Sequence, residues 1–158
     1  MNILKQNRFL LIVLFLISCS LNTNYLPKDL FGLKLTKKLT GDDAKEFVNN
    51  LHFQNVTGLE NEIGFYGEKA GSAIIYITHY NTKEAAKKDF VKMVKKISPE
   101  NSVFIKPEYL QLGGVEIYRC FGMGQTHYLF PHSKELFWIS VDTHFGKKFV
   151  EDYLNHIK

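Results

Sequence analysis

Cysteine is nearly missing from this chain: there are two, Cys19 and Cys120, in 158 residues. A disulfide framework of the kind that staples small secreted domains cannot be built from them. Long apolar runs are missing too. The longest, Phe9 to Ile17, is about nine residues, whereas crossing a bilayer as a helix takes roughly twenty. A surplus of one charge sign is also absent. The formal charge is +4, and without the first eighteen residues, which hold Lys5 and Arg8, 18 basic side chains face 16 acidic ones. That balance gives no argument for a nucleic-acid partner. Strong chemical motifs are lacking as well. The six histidines show neither helical i, i+4 pairs nor cysteine neighbours, and Ser72 and Ser133 lie outside any Gly-x-Ser-x-Gly elbow.

What is present suits one folded domain. Hydrophobic residues make up 45% and charged residues 23%, close to globular averages, and the length leaves room for a targeting segment but not for a second domain. Phe and Tyr dominate the 14% aromatic content. Such side chains bury much apolar area each, so a substantial core is expected.

The first eighteen residues have a basic start, the apolar run and then Ser18, which is the pattern of a secretory signal. The tetrapeptide Leu16-Ile17-Ser18-Cys19 directly after the run resembles the lipobox of bacterial lipoproteins. The resemblance covers only the signal. It implies that the Cys19 thiol is joined to diacylglycerol, that the chain is cut before Cys19, and that the protein is anchored to a membrane of the cell envelope. Several fatty chains on one residue anchor stably where one does not. In a Gram-negative cell, Ser20 after the lipidated residue is compatible with transfer to the outer membrane. Cys120 is then left unpaired, and as a thiol in an apolar strand it reads as a small hydrophobe.

Along the mature chain, residues 19–38 read as the lipidated cysteine and a tether merging into an edge segment, and 39–158 as the domain. A first helix is expected over 41–51, opened by the capping-box pattern Thr40-Gly-Asp-Asp43. Ile63–Tyr66 and Ser72–Tyr80 read as a hairpin. Thr82 caps the clearest amphipathic helix, with Ala86, Phe90, Val94 and Ile97 on one side and Lys83, Lys87, Lys88, Lys92, Lys95 and Lys96 on the others. Gly114–Phe130 reads as one long or broken strand, Glu135–Asp142 as a strand returning beside it, and Phe145–His156 as a last helix. Residues 62–97 and 114–157 both read as hairpin then helix, which makes a weak internal duplication plausible. The expected fold class is α+β: a single antiparallel β-sheet of four to six strands with two to three helices packed on one face, a two-layer sandwich.

Candidate chemistry centres on Gly122-Met-Gly124-Gln125-Thr-His127-Tyr128. Two glycines in a strand allow close approach of a ligand or another backbone, or mark a bulge. The motifs Leu39-Thr-Gly-x-x-Ala44, Leu51-His52 and Gly122-x-Gly-Gln-x-His-Tyr128 loosely resemble those of small exported bacterial proteins of uncharacterised families. That resemblance implies no activity, but it adds His52, Gln125, His127 and Trp138 to the candidate list. The paired-strand sketch sets His127 opposite Trp138. The leading expectation is a non-enzymatic envelope lipoprotein that binds a protein or small ligand, without metal or cofactor. The alternative is a histidine-dependent enzyme or metal-binding protein centred on His127 with Tyr128 and His52. A third expectation is that the lysine side of the second helix docks on anionic lipid.

Overall fold

Two-residue turns spaced ten residues apart organise the C-terminal half. They join β5 (Ile105–Leu112), β6 (Val115–Gly122), β7 (Gln125–His132) and β8 (Glu135–Asp142) into an antiparallel meander. In two of the turns both central residues are left-handed: Gly113 and Gly114 at φ 56° and 81°, Met123 and Gly124 at φ 51° and 78°. This is the hairpin turn whose twist matches that of the flanking strands. The stretch expected as one long or broken strand, Gly114–Phe130, is therefore broken into two strands, and the Gly122-Met-Gly124 motif is the tip between them.

The described residues of the computed structural model are 24–52, 58–98 and 102–158, with His52 described by its backbone alone. The N-terminal half repeats the meander with β1 (Asp29–Leu30), β2 (Leu33–Thr40), β3 (Asn61–Glu68) and β4 (Gly71–His79). Pairing of β4 with β8 joins the halves into one eight-stranded sheet, in the order β1-β2-β3-β4-β8-β7-β6-β5. Among the described residues three helices accompany the sheet: α1 (Gly41–His52), α2 (Lys83–Ile97) and α3 (Gly146–His156).

The two-layer α+β sandwich is overturned by where these helices pack. Phe90 and Val94 of α2 lie on Tyr118, Cys120, Leu129 and Leu136. Phe47 of α1 meets Phe65 and Tyr76 on that same side, Tyr76 being the cross-strand neighbour of Trp138. Phe149, Val150, Tyr153 and Leu154 of α3 pack on the opposite side, against Ile75, Ile77, Tyr128, Phe130, Phe137 and Ile139. The sheet is the middle of three layers and dominates the fold. The physical cause lies in its central strands. Thr126 to Phe130 are all buried, as are five of the eight residues of β8. A strand apolar on both faces needs a cover on each, and each buried aromatic is worth about 1.5–3 kcal/mol.

This layering bears on the suspected duplication. A two-fold axis that superposes the β3–β4 and β7–β8 hairpins keeps the sheet faces, yet α2 and α3 follow those hairpins onto opposite faces. The helix starts differ too. Thr82 caps α2 by accepting from Ala85 N at 3.1 Å, whereas α3 begins without a side-chain cap. Asp142 instead accepts from Ser72 N at 2.8 Å.

Both sheet edges are guarded, and neither was fully foreseen as strand. β5 carries a bulge between Ile105 and Glu108, with Lys106 left-handed at φ 50° and Pro107 beside it. The C-terminal part of the expected tether is strand as well: β1 and the start of β2 take up residues 29–30 and 33–38, and Leu26, Leu30 and Leu33 are core residues. Lysines at 34, 37 and 38 line β2, which discourages pairing with another chain.

Candidate functional site

β7 holds His127 between β6 and β8, where Cys120 and Ser140 are its direct cross-strand neighbours. Trp138 sits diagonally rather than opposite, since its partner is Leu129. The ring is 2% exposed. Its Nε2 lies 3.0 Å from the Gly122 carbonyl oxygen, which can only accept, so the proton sits on Nε2. Nδ1 is then the acceptor, at 3.1 Å from Trp138 Nε1 and 2.9 Å from Ser140 Oγ. The indole N–H also reaches Ser140 Oγ at 3.1 Å. Phe104 closes the cluster, edge-on to His127 at 5.0 Å and to Trp138 at 5.6 Å.

Burial pushes the His127 pKa below its ordinary value, and the Gly122 hydrogen bond offsets this only in part. A second proton would have to enter at Nδ1, against an N–H that already points there. The ring is thus a neutral strut with no lone pair free for a metal or for proton transfer. Cys120 beside it is fully buried, and desolvation pushes its thiol up to about 11. A thiol so rarely ionised is a poor nucleophile.

The other residues picked out by sequence do not join this cluster. Tyr128 points to the opposite face, 1% exposed, where a Cβ on Gly146 would stand 3.2 Å from its hydroxyl. Gln125 is half-buried at the start of β7, paired with Gly122 and Asp142. His52 ends α1, which packs on β2 and β3, and its side chain lies outside the described residues, as does Cys19. The structure brings together His127 and Trp138 alone.

A different histidine has the charged surroundings. His79 ends β4 with Nε2 3.1 Å from Glu62 Oε1 and Nδ1 3.7 Å from Glu135 Oε1. Lys38 Nζ lies 2.5 Å from the other Glu62 oxygen. The His79 hydrogen bond is the largest cause holding Glu62 down to about 2, against a desolvation penalty, with Lys38 adding to the shift. The same bond raises the His79 pKa against desolvation. Tyr25 stands over this group, its ring 6.1 Å from His79 and 5.5 Å from Phe137. Sequence reasoning passed over His79 because its partners meet it only through strand register. Among the described residues no three His, Cys, Asp or Glu side chains are grouped to hold a metal ion.

Two surface features remain. A shallow open recess of about 340 Å³ lies between α2 and the turns flanking β6 and β7, lined by Lys87, Phe90, Val115, Pro131 and His132. None of Gln125, His127, Tyr128 and Trp138 lines it. At the other end of the strands Val103, Ile105 and Met123 are 69%, 57% and 73% exposed.

No family model matches the chain, and no curated protein matches it. Among solved structures it is similar to a GTP binding regulator from Thermotoga maritima, at 15% identity over 79% of this chain and 74% of that one, with a TM-score of 0.47. A likeness of that size carries no functional argument.

Proposed function

We propose that the chain is a lipoprotein of the bacterial cell envelope, cut before Cys19 and anchored by lipid on that cysteine, whose domain is a non-enzymatic module for binding a protein or small ligand. The observation that carries the binding reading is the state of His127. Both ring nitrogens are engaged and the ring is buried, so the group on which a catalytic or metal-binding reading rested is spent on the fold. No observation favours the enzyme alternative at His127. The lipid reading rests on Leu16-Ile17-Ser18-Cys19 after the apolar run. It is supported by how soon the fold begins: Leu26 is a core residue seven positions after Cys19.

Metabolic labelling with an alkyne analogue of palmitate tests the anchor. The full chain, expressed in a bacterium, is expected to take up label, to sediment with membranes and to have lost its first eighteen residues. Cys19→Ser is expected to take up none. A wild-type chain that stays unlabelled and keeps its signal would overturn the reading.

A further inference from the structure

The chain becomes fixed to the domain at a definite place. The Asn24 carbonyl oxygen lies 2.7 Å from His156 Nε2, the Tyr25 carbonyl accepts from the Tyr153 hydroxyl at 2.9 Å, and Leu26 is 3% exposed. The Pro27 carbonyl accepts from the Tyr66 hydroxyl at 2.9 Å. Asn24 is the first described residue, and it is held on the domain. From Cys19 to Asn24 is five residue steps, at most about 18 Å when fully extended.

That point lies at one pole of the sheet. His156 is at the C-terminal end of α3, and the Lys158 ammonium stands 3.5 Å from where a Cβ on Gly113 would be, so α3 ends against the β5–β6 turn. The antiparallel order puts the β7–β8 turn, with exposed Lys134, at the same pole. Val103, Ile105 and the Met123 turn are at the other pole, Ile105 being paired with Phe121. Eight-residue strands separate the poles by about 26 Å at strand rise.

We propose that the bilayer carrying the lipidated Cys19 lies against the Asn24 pole, facing the β5–β6 and β7–β8 turns and the end of α3, and that the Val103–Ile105–Met123 pole is held out in water. The inference rests on the lipid anchor proposed above. A tether of about 18 Å cannot let the domain invert, because the far pole would then have to touch lipid with Asn24 some 26 Å above it. Lying flat on α3 would press the exposed Lys147, Lys148 and Asp152, with half-buried Glu151, against the headgroups, a mixed set with little net attraction for them. At the tethered pole Lys134, His156 and Lys158 are exposed, and so are Glu116, Glu60 beside His79, and Asp42 and Asp43 at the start of α1, so the orientation rests on the tether and not on charge. The lysine side of α2 covers the opposite face of the sheet from α3, where the tether attaches. It therefore stands to the side of the anchor, not beneath it.

The test uses the full lipidated protein in vesicles of phosphatidylethanolamine and phosphatidylglycerol containing a nitroxide-headgroup lipid. Lys134→Cys, Met123→Cys and Lys92→Cys are each labelled with a bimane fluorophore. Native Cys120 is buried and Cys19 would be blocked by lipid, so the label goes to the introduced thiol. Quenching at position 134 is expected to exceed that at 123 and 92 several-fold. Equal or stronger quenching at 123 or 92, or none at 134, would overturn the orientation while palmitate label on the same preparation leaves the anchor standing. A preparation without palmitate label overturns the anchor and the orientation together.

Discussion

His127 and His79 occupy the two strands that flank β8, one step to either side of it, and have opposite natures. Each has both ring nitrogens near polar partners. Around His127 those partners are a carbonyl, a hydroxyl and an indole N–H, all neutral, and water is excluded. Around His79 they are two carboxylates at a half-exposed strand end. Burial pushes one pKa down past the opposing pull of the Gly122 carbonyl, and ionic partners pull the other up. The contrast teaches that a histidine beside glycines in an aromatic strand is no more chemical than its partners allow, and that a histidine without any local motif can be the charged one.

The largest expected effect separates the two by stability. His127→Ala removes a buried ring, leaves the Gly122 carbonyl without its partner and leaves the Trp138 N–H only Ser140 Oγ, so it should cost about 3 kcal/mol in urea unfolding. Trp138→Phe keeps most of the ring but removes the N–H aimed at Nδ1. It should cost about 1 kcal/mol and bring the His127 pKa closer to normal. His79→Gln removes one member of a partly solvated ion group and should cost no more than about 1 kcal/mol. Equal losses for His79→Gln and His127→Ala would erase the comparison.

The pH dependence sharpens it further, because the signs are opposite. His127 has a lowered folded pKa, so below the ordinary value of 6.5 the unfolded chain takes up its proton first, and stability falls as pH falls. His79 has a raised folded pKa, so its contribution is complete below 6.5 and is lost as pH rises through the folded value. Glu62, held at about 2, contributes fully above 4.5, and that contribution is lost as pH falls towards 2. Unfolding free energies from pH 4 to 9 should therefore lose their alkaline decline in His79→Gln. That decline should persist in Trp138→Phe.

Much of the helical layer was legible in the sequence, because a helix writes its buried side at close spacing. Thr82 followed by Ala86, Phe90 and Val94 defines α2 without help from the rest of the chain. The edges of the sheet were not legible. β2 shows lysines where a half-buried strand would show apolar residues, and β5 holds Lys106-Pro107 at a bulge. Two clues went unused. The pairs Gly113-Gly114, Met123-Gly124 and Ser133-Lys134 recur at ten-residue spacing, the rhythm of a meander. The apolar run Leu136–Ile139, resumed at Val141 after Ser140, marks a strand covered on both faces, which implied a third layer. Of the site, the placement of His127 and Trp138 on one face followed from period-two alternation. Their saturation did not, since it depends on the β6–β7 turn presenting the Gly122 carbonyl to the ring. The Glu62–His79–Glu135 group depends wholly on register between strands far apart in the chain.

The reading of the domain as a binding module turns on His127 being a neutral strut, and long-range ¹H–¹⁵N correlation spectra of the histidine rings measure that directly. His127 is expected to show a single Nε2–H tautomer and to titrate below 6.5, while His79 titrates above 6.5. A His127 ring that titrates at or above 6.5, or that populates both tautomers, would contradict the account and return that residue to the list of catalytic candidates.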